Sequence, residues 1–164
     1  MAFKPCQRRS GRRGKARVPR HGGAPSSRLL DVAPRELADW FWVAYTDAYD
    51  WVVEPNVLAM GTYGVGDLMT TKPYVSGTPY ILRMSDYCKG CAFDPKKNCP
   101  ISSLYWAFLK RHEQGLKDNP RMRVPMASLR RRSGQSWEKD RHVFRKMSEI
   151  LASGEAMNPR NLYK

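Results

Sequence analysis

Cys88-Lys-Gly-Cys91-Ala-Phe-Asp-Pro-Lys-Lys-Asn-Cys99-Pro100-Ile-Ser-Ser-Leu104-Tyr-Trp-Ala-Phe108-Leu109 joins the chain's most concentrated chemistry to its plainest helical signal. Three of the four cysteines fall in twelve of these residues, among Asp, Lys, Gly and Pro. Two thiolates with two residues between them grip one ion or one cluster edge, and a third follows after a short loop. Zinc and an iron–sulfur cluster both suit thiolates, and three ligands do not separate them. Cys-Pro is also how one common iron–sulfur cysteine run ends. Behind Cys99 the text turns helical: Pro100 takes a first-turn position, and Ile101, Leu104, Tyr105, Phe108 and Leu109 share one face.

Further along, the same period continues. Asn119-Pro120 starts a helix that is expected to be interrupted near Pro125 and to run on to Arg132. Ser-Gly at 133–134 breaks it, and Ser136 is the expected cap of a last helix. That helix buries Val143, Phe144, Met147, Ile150 and Leu151 and ends at Gly154. The row Arg121, Arg123, Arg130, Arg131 and Arg132 reads as a solvated face.

On the other side of the cysteines, Pro34 opens an amphipathic helix with Asp31 ahead of it as a cap. Leu37, Trp40, Phe41, Val43, Ala44 and Ala48 recur at helical spacing, which carries the helix to about Asp50. Two Trp and two Tyr within Trp40–Tyr49 make it unusually aromatic, for a core or for stacking on a flat ring. Residues 51–83 are cut by Pro55, Gly61, Gly64, Gly66, Pro73, Gly77 and Pro79. Val57–Met60 reads as a brief helical turn and Tyr63–Tyr74 as a structured loop of the kind that wraps a ligand. Thr70, Thr71 and Lys72 are a weak phosphate signal, and no nucleotide-loop glycine fingerprint is present. No segment reads as a strand, so the class is all-α.

The 164 residues suit one domain with a core, and 41% hydrophobic content is that of a globular chain. Net charge is +14, but nine Lys/Arg and no acid lie in residues 1–28, leaving 20 basic and 15 acidic side chains elsewhere. Residues 1–27 lack apolar periodicity and read as a disordered basic tail, of a kind that binds phosphate backbones without reading sequence or does nothing. Residues 28–152 form the folded part and 153–164 a C-terminal tail. Cys6 lies inside the basic tail, where a surface thiol is the simpler reading than a ligand. Clustered cysteines argue for a reducing compartment, hence the cytoplasm. No apolar run reaches the ~20 residues of a membrane span, and no signal segment is seen. His21, His112 and His142 form no hydrolytic constellation, no nucleophile motif surrounds a serine, and Asp47 and Asp50 are a pair without a third partner.

Several separated motifs then carry a resemblance. Asp47-Ala-Tyr-Asp-Trp-Val-Val-Glu-Pro-Asn56, Lys72-Pro-Tyr74, Tyr80-Ile-Leu-Arg-Met-Ser-Asp-Tyr-Cys88, and Cys99-Pro100 through Tyr105-Trp106 resemble the C-terminal part of the iron–sulfur bacterial cryptochromes and photolyases. This family is also called deoxyribodipyrimidine photolyase-related. The resemblance covers about residues 28–152. It implies an all-helical FAD-binding domain, a 4Fe–4S cluster, and light-driven repair of (6-4) photoproducts in DNA or a photoreceptor role. It further implies that Cys88, Cys91 and Cys99 are three of four cluster ligands. Trp40 and Tyr80 would pass electrons to the flavin, and Asp47 and Asn56 would line it. Damaged DNA is the implied partner, without a membrane, for a monomer.

The departures are as specific. Family members are much longer and carry an N-terminal α/β antenna domain, a fourth cysteine and paired lesion-site histidines upstream. The neighbours of Cys6 do not match the fourth ligand's. Val53 stands where the family commonly has Glu, with Glu54 next to it. The change of composition near Ser27 leads to the expectation of a truncated or frame-shifted gene. The alternative function is a non-catalytic, metal-binding helical remnant or a basic nucleic-acid-binding protein.

Overall fold

The computed structural model describes residues 29–45, 49–63, 68, 70–86, 88–154 and 162. Every regular element among these residues is helical, which is the all-α class. The basic stretch 1–27 and Asp47 lie outside the described residues.

The chain enters at Leu29, and α1 runs from Pro34 to Ala44. Pro sits in its first turn, where a missing N–H costs nothing. Its cap is Ala33, with no side-chain hydrogen bond, so Asp31 does not cap it. Asp31 instead adopts a positive φ of 54° and pairs with Arg111, Oδ2 to Nη2 at 2.9 Å, and with His112 at 3.6 Å. Arg111 also donates to the Leu29 carbonyl at 3.2 Å. These contacts span about eighty residues of sequence and have no local signature. The helix also stops earlier than its periodicity suggests, because Tyr45 is extended at φ −124°, ψ 131°. The turn before that break is Phe41-Trp-Val-Ala44, three of whose residues are aromatic or β-branched and have lower helix propensity. Val43 is 90% exposed and no part of a buried stripe.

A short α2, Asp50–Val53, widens into a π-helical segment, Glu54–Gly61, in place of the brief turn expected at Val57–Met60. Pro55 lacks the N–H that would pair the Trp51 carbonyl four residues back, which disfavours a continuous α pattern there. Leu37, Ala38, Val53 and Val57 pack together as a small apolar cluster flanked by Phe41 and Leu58. Helix α3, Thr78–Met84, lies where only chain breakers were legible. Gly77 precedes it and Pro79 sits in its first turn, the Pro-at-entry pattern that marks a helix start.

The larger core belongs to the C-terminal half. There α4 (Pro100–Arg111), α5 (Glu113–Leu116), a 3₁₀ turn (Pro120–Met122), α6 (Arg123–Arg130) and α7 (Gly134–Ser153) follow closely. Leu104, Phe108 and Leu109 of α4 meet Val143 and Met147 of α7, all 2% exposed or less. Pro125 does not interrupt α6; it sits in the first turn, and Asn119 caps the preceding 3₁₀ turn by accepting from Arg121 N at 2.9 Å. Ser133, not Ser136, caps α7, accepting from Ser136 N at 3.4 Å. Gly154 ends α7 at φ 70°, a left-handed conformation that glycine adopts without strain. Leu162 is buried in this same core.

Candidate functional site

The cysteine loop is built by its polar residues. Gly90 turns the chain at φ 74°, and Cys91 N donates to the Cys88 carbonyl at 3.3 Å. Phe93 then buries its ring in the main core. Asp94 folds the next stretch: its carboxylate accepts from Lys96 N at 2.7 Å and Lys97 N at 3.3 Å, while its own N–H reaches Asn98 Oδ1 at 2.6 Å. Such side-chain-to-backbone bonds are how Asp and Asn fold turns. Lys139 of α7 donates to the Lys97 carbonyl at 2.9 Å and pins the loop from outside.

All three cysteines are half-buried. Burial pushes the Cys88 thiol above its ordinary value, and a neighbouring Cys99 charge adds to this. The chemistry of the donors suits zinc or iron–sulfur, but their placement does not form a ligand set. Among the described residues, no group of three or more His, Cys, Asp or Glu side chains stands ready to hold a metal ion. The present arrangement therefore does not fit a cluster.

Between the loop and the starts of α4 and α7 lies a cavity of about 210 Å³. Lys96, Lys97 and Cys99 form one wall, Ser102 and Ser103 the second, and Arg132, Ser136, Lys139 and Asp140 the third. Arg132 pairs with the buried Asp140 through Nη2 and Oδ2. Its guanidinium also lies over the rings of Trp106, at 4.7 Å, and Trp137, at 5.5 Å. Burial raises the Asp140 carboxyl above the usual range, and the Arg132 charge and hydrogen bonds from Ser103 and Arg132 oppose this. Sequence reading assigned Arg132 to a solvated face and passed over Asp140. A signal was there: Asp140, Val143 and Met147 are spaced as one helical stripe, which puts a carboxylate among buried residues.

The residues expected near a flavin lie elsewhere. Trp40 is half-buried and packs edge-on against Phe41 at 5.1 Å and Tyr45 at 5.8 Å, while Phe41 and Tyr45 stack at 5.2 Å. Tyr80 is exposed in the first turn of α3. Asn56 is exposed and its amide donates back to the Val52 carbonyl at 2.8 Å. Tyr49 and Trp51, 60% and 75% exposed, stack at 6.3 Å and add to an open aromatic surface. Trp40, Tyr80 and Asn56 do not line the cavity, which is smaller than the ~300–1,000 Å³ of a drug-sized ligand site. These residues supply flat stacking surface but no enclosure, so they do not by themselves fit a flavin. Thr70 to Lys72 form a turn, with the Thr70 hydroxyl on the Lys72 carbonyl at 2.9 Å and Asn119 on the Thr71 carbonyl at 3.0 Å.

With this all-helical frame and thiol-bearing loop in place, sequence comparison shows what the chain is similar to. Over the greater part of its length it is photolyase-related in sequence. The relative is a (6-4) photolyase of Agrobacterium fabrum, 42% identical over 110 residues, which are 64% of this chain and 22% of the relative. An uncharacterized protein of Acanthamoeba polyphaga mimivirus is 37% identical over 78 residues, 48% of this chain and 60% of that protein. The chain thus spans about a fifth of the photolyase and less than two thirds of the viral protein. No family model matches the chain. Among the described residues no helix is long and apolar enough to cross a membrane.

Proposed function

We propose that the chain supplies part of the helical FAD-binding domain of a photolyase-type flavoprotein of the iron–sulfur bacterial kind, acting on (6-4) photoproducts in DNA. The observation that carries this reading is the 42% identity to a (6-4) photolyase over 110 residues. The folded unit corresponds to residues 28–152, preceded by the basic tail and followed by a short C-terminal extension. Flavin, when bound, would supply light-driven one-electron chemistry.

The chain's own residues have roles that their chemistry suits. Trp40 and Tyr80 carry rings that can lose and regain one electron, and Trp40 already sits among packed aromatics. Asp47 and Asn56 bring polar groups to the edge of the open aromatic surface. Cys88, Cys91 and Cys99 provide three of four 4Fe–4S ligands once the loop draws them together, and the fourth comes from elsewhere. Because the described residues enclose neither cofactor, a second protein wall is required, and the isolated chain has little light-driven activity.

An absorption spectrum of protein expressed and purified without oxygen tests the reading. Flavin bands over a broad iron–sulfur shoulder support it. A colourless protein containing zinc rejects it in favour of a metal-binding helical remnant.

A further inference from the structure

We propose that the cavity between the cysteine loop and the starts of α4 and α7 binds a phosphate group. This site is separate from the flavin reading, since Trp40, Tyr80 and Asn56 take no part in its walls.

Charge is the first argument. Lys96, Lys97 and Lys139 bring three ammonium groups to one cavity, and its single carboxylate, Asp140, is already held by Arg132. The cavity is therefore cationic, and a metal cation is excluded. Its hydroxyls come from Ser102 on α4 and Ser136 on α7. Both helices, of 12 and 20 residues, begin there, so their positive ends add to the field of the lysines.

Unmet donor capacity is the second, independent argument. Arg132 Nε is buried without a hydrogen-bond partner, although the same guanidinium pairs with Asp140 through Nη2. A buried donor without an acceptor is costly, and natural folds keep few of them. This wall of the cavity is short of acceptors.

Shape selects among anions. Donors approach from the loop, α4 and α7, three directions that suit a tetrahedral oxyanion. A planar carboxylate is best gripped by an arginine fork, and the fork of Arg132 is already on Asp140. Lysine acts as a point charge and suits phosphate equally well. The volume, about 210 Å³, accommodates several waters at ~30 Å³ each, and a phosphate with part of its hydration fits in their place.

The test follows amide chemical shifts of the full chain during titration with inorganic phosphate, with sodium chloride at matched ionic strength as control. Resonances of Lys96, Lys97, Ser102 and Ser136 are expected to move and saturate with phosphate alone. The double substitution Lys96→Gln/Lys97→Gln, at two exposed positions, should weaken the fitted affinity at least about tenfold, whereas Arg121→Gln/Arg123→Gln should leave it unchanged. A short DNA oligonucleotide assigns the source. Displacement from the same resonances by inorganic phosphate identifies a backbone diester, and oligonucleotide shifts confined to other residues identify a free phosphate. Absence of saturation in the unsubstituted chain, or equal affinity in the lysine variant, overturns the site.

Discussion

Replacing Asp140 by Ala should unfold the protein at lower urea concentration, by an amount set by what the carboxylate leaves behind. Asp140 is 3% exposed and accepts from Arg132 Nη2, while Ser103 also bonds to it. Its removal strands a guanidinium that is 22% exposed and whose Nε already has no acceptor. Breaking a buried pair by deleting one partner costs roughly 3–5 kcal/mol. Partial exposure of Arg132 lowers that figure, and the rings of Trp106 and Trp137 continue to hold the cation, which at such sites is worth about 0.5–2 kcal/mol. The expected loss is about 2–4 kcal/mol, read as a shift of the urea midpoint with an unchanged slope. Those two tryptophans provide the fluorescence signal. Arg132→Met should destabilise for the reciprocal reason, and the double variant should cost clearly less than the two singles together. A loss under ~0.5 kcal/mol for Asp140→Ala, the range of a neutral surface change, or strict additivity in the double variant, refutes the reasoning.

The same carboxyl gives a pH dependence of defined sign. Burial raises its folded value above the unfolded one, near 3.8. Its contribution to stability is thus fully present below the unfolded value and is lost as pH rises through the folded value. In Asp140→Asn this fall disappears, so the stability of the variant relative to the parent should improve as pH rises through the acid range, measured by urea melts at several pH values.

Phe108→Ala removes the largest fully buried side chain of the main core and should cost about 3–5 kcal/mol, seen as a large drop in thermal midpoint. Gly154→Ala places a Cβ at φ 70° and should cost about 1–2 kcal/mol by urea denaturation, without loss of helical circular dichroism elsewhere. Asn119→Ala deletes both the cap on Arg121 N and the tie to the Thr71 carbonyl. It should destabilise by about 1 kcal/mol and speed hydrogen exchange in the 3₁₀ turn.

Much of the helical text was legible because its signals are local. Pro100 and Gly154 bound α4 and α7 where the sequence places them, since a proline fits a first turn and a glycine a left-handed exit. The stripe Leu104, Phe108 and Leu109 faces the core because side chains three and four apart share one side of a helix. Where local signals compete, reading failed. Asp31 looks like a cap but is drawn by Arg111 and His112. Pro125 looks like a breaker but sits in a first turn. The break at Tyr45 is hidden by apolar spacing that continues past it.

By itself the sequence determined an all-helical chain, a thiol-rich loop followed by a proline-started helix, and motifs that resemble photolyases. These follow from spacing and residue chemistry within a few turns. Tertiary structure alone decided that Arg132 turns inward onto Asp140 and that Lys139 reaches back across 42 residues to the loop. It also decided that the loop's neighbours form a cationic cavity while the three thiols stay ungathered. Such contacts arise only when α4 and α7 pack, because packing brings together side chains distant in sequence and sets which charges lose water. Periodicity records which face of a helix is buried, not what that face will meet.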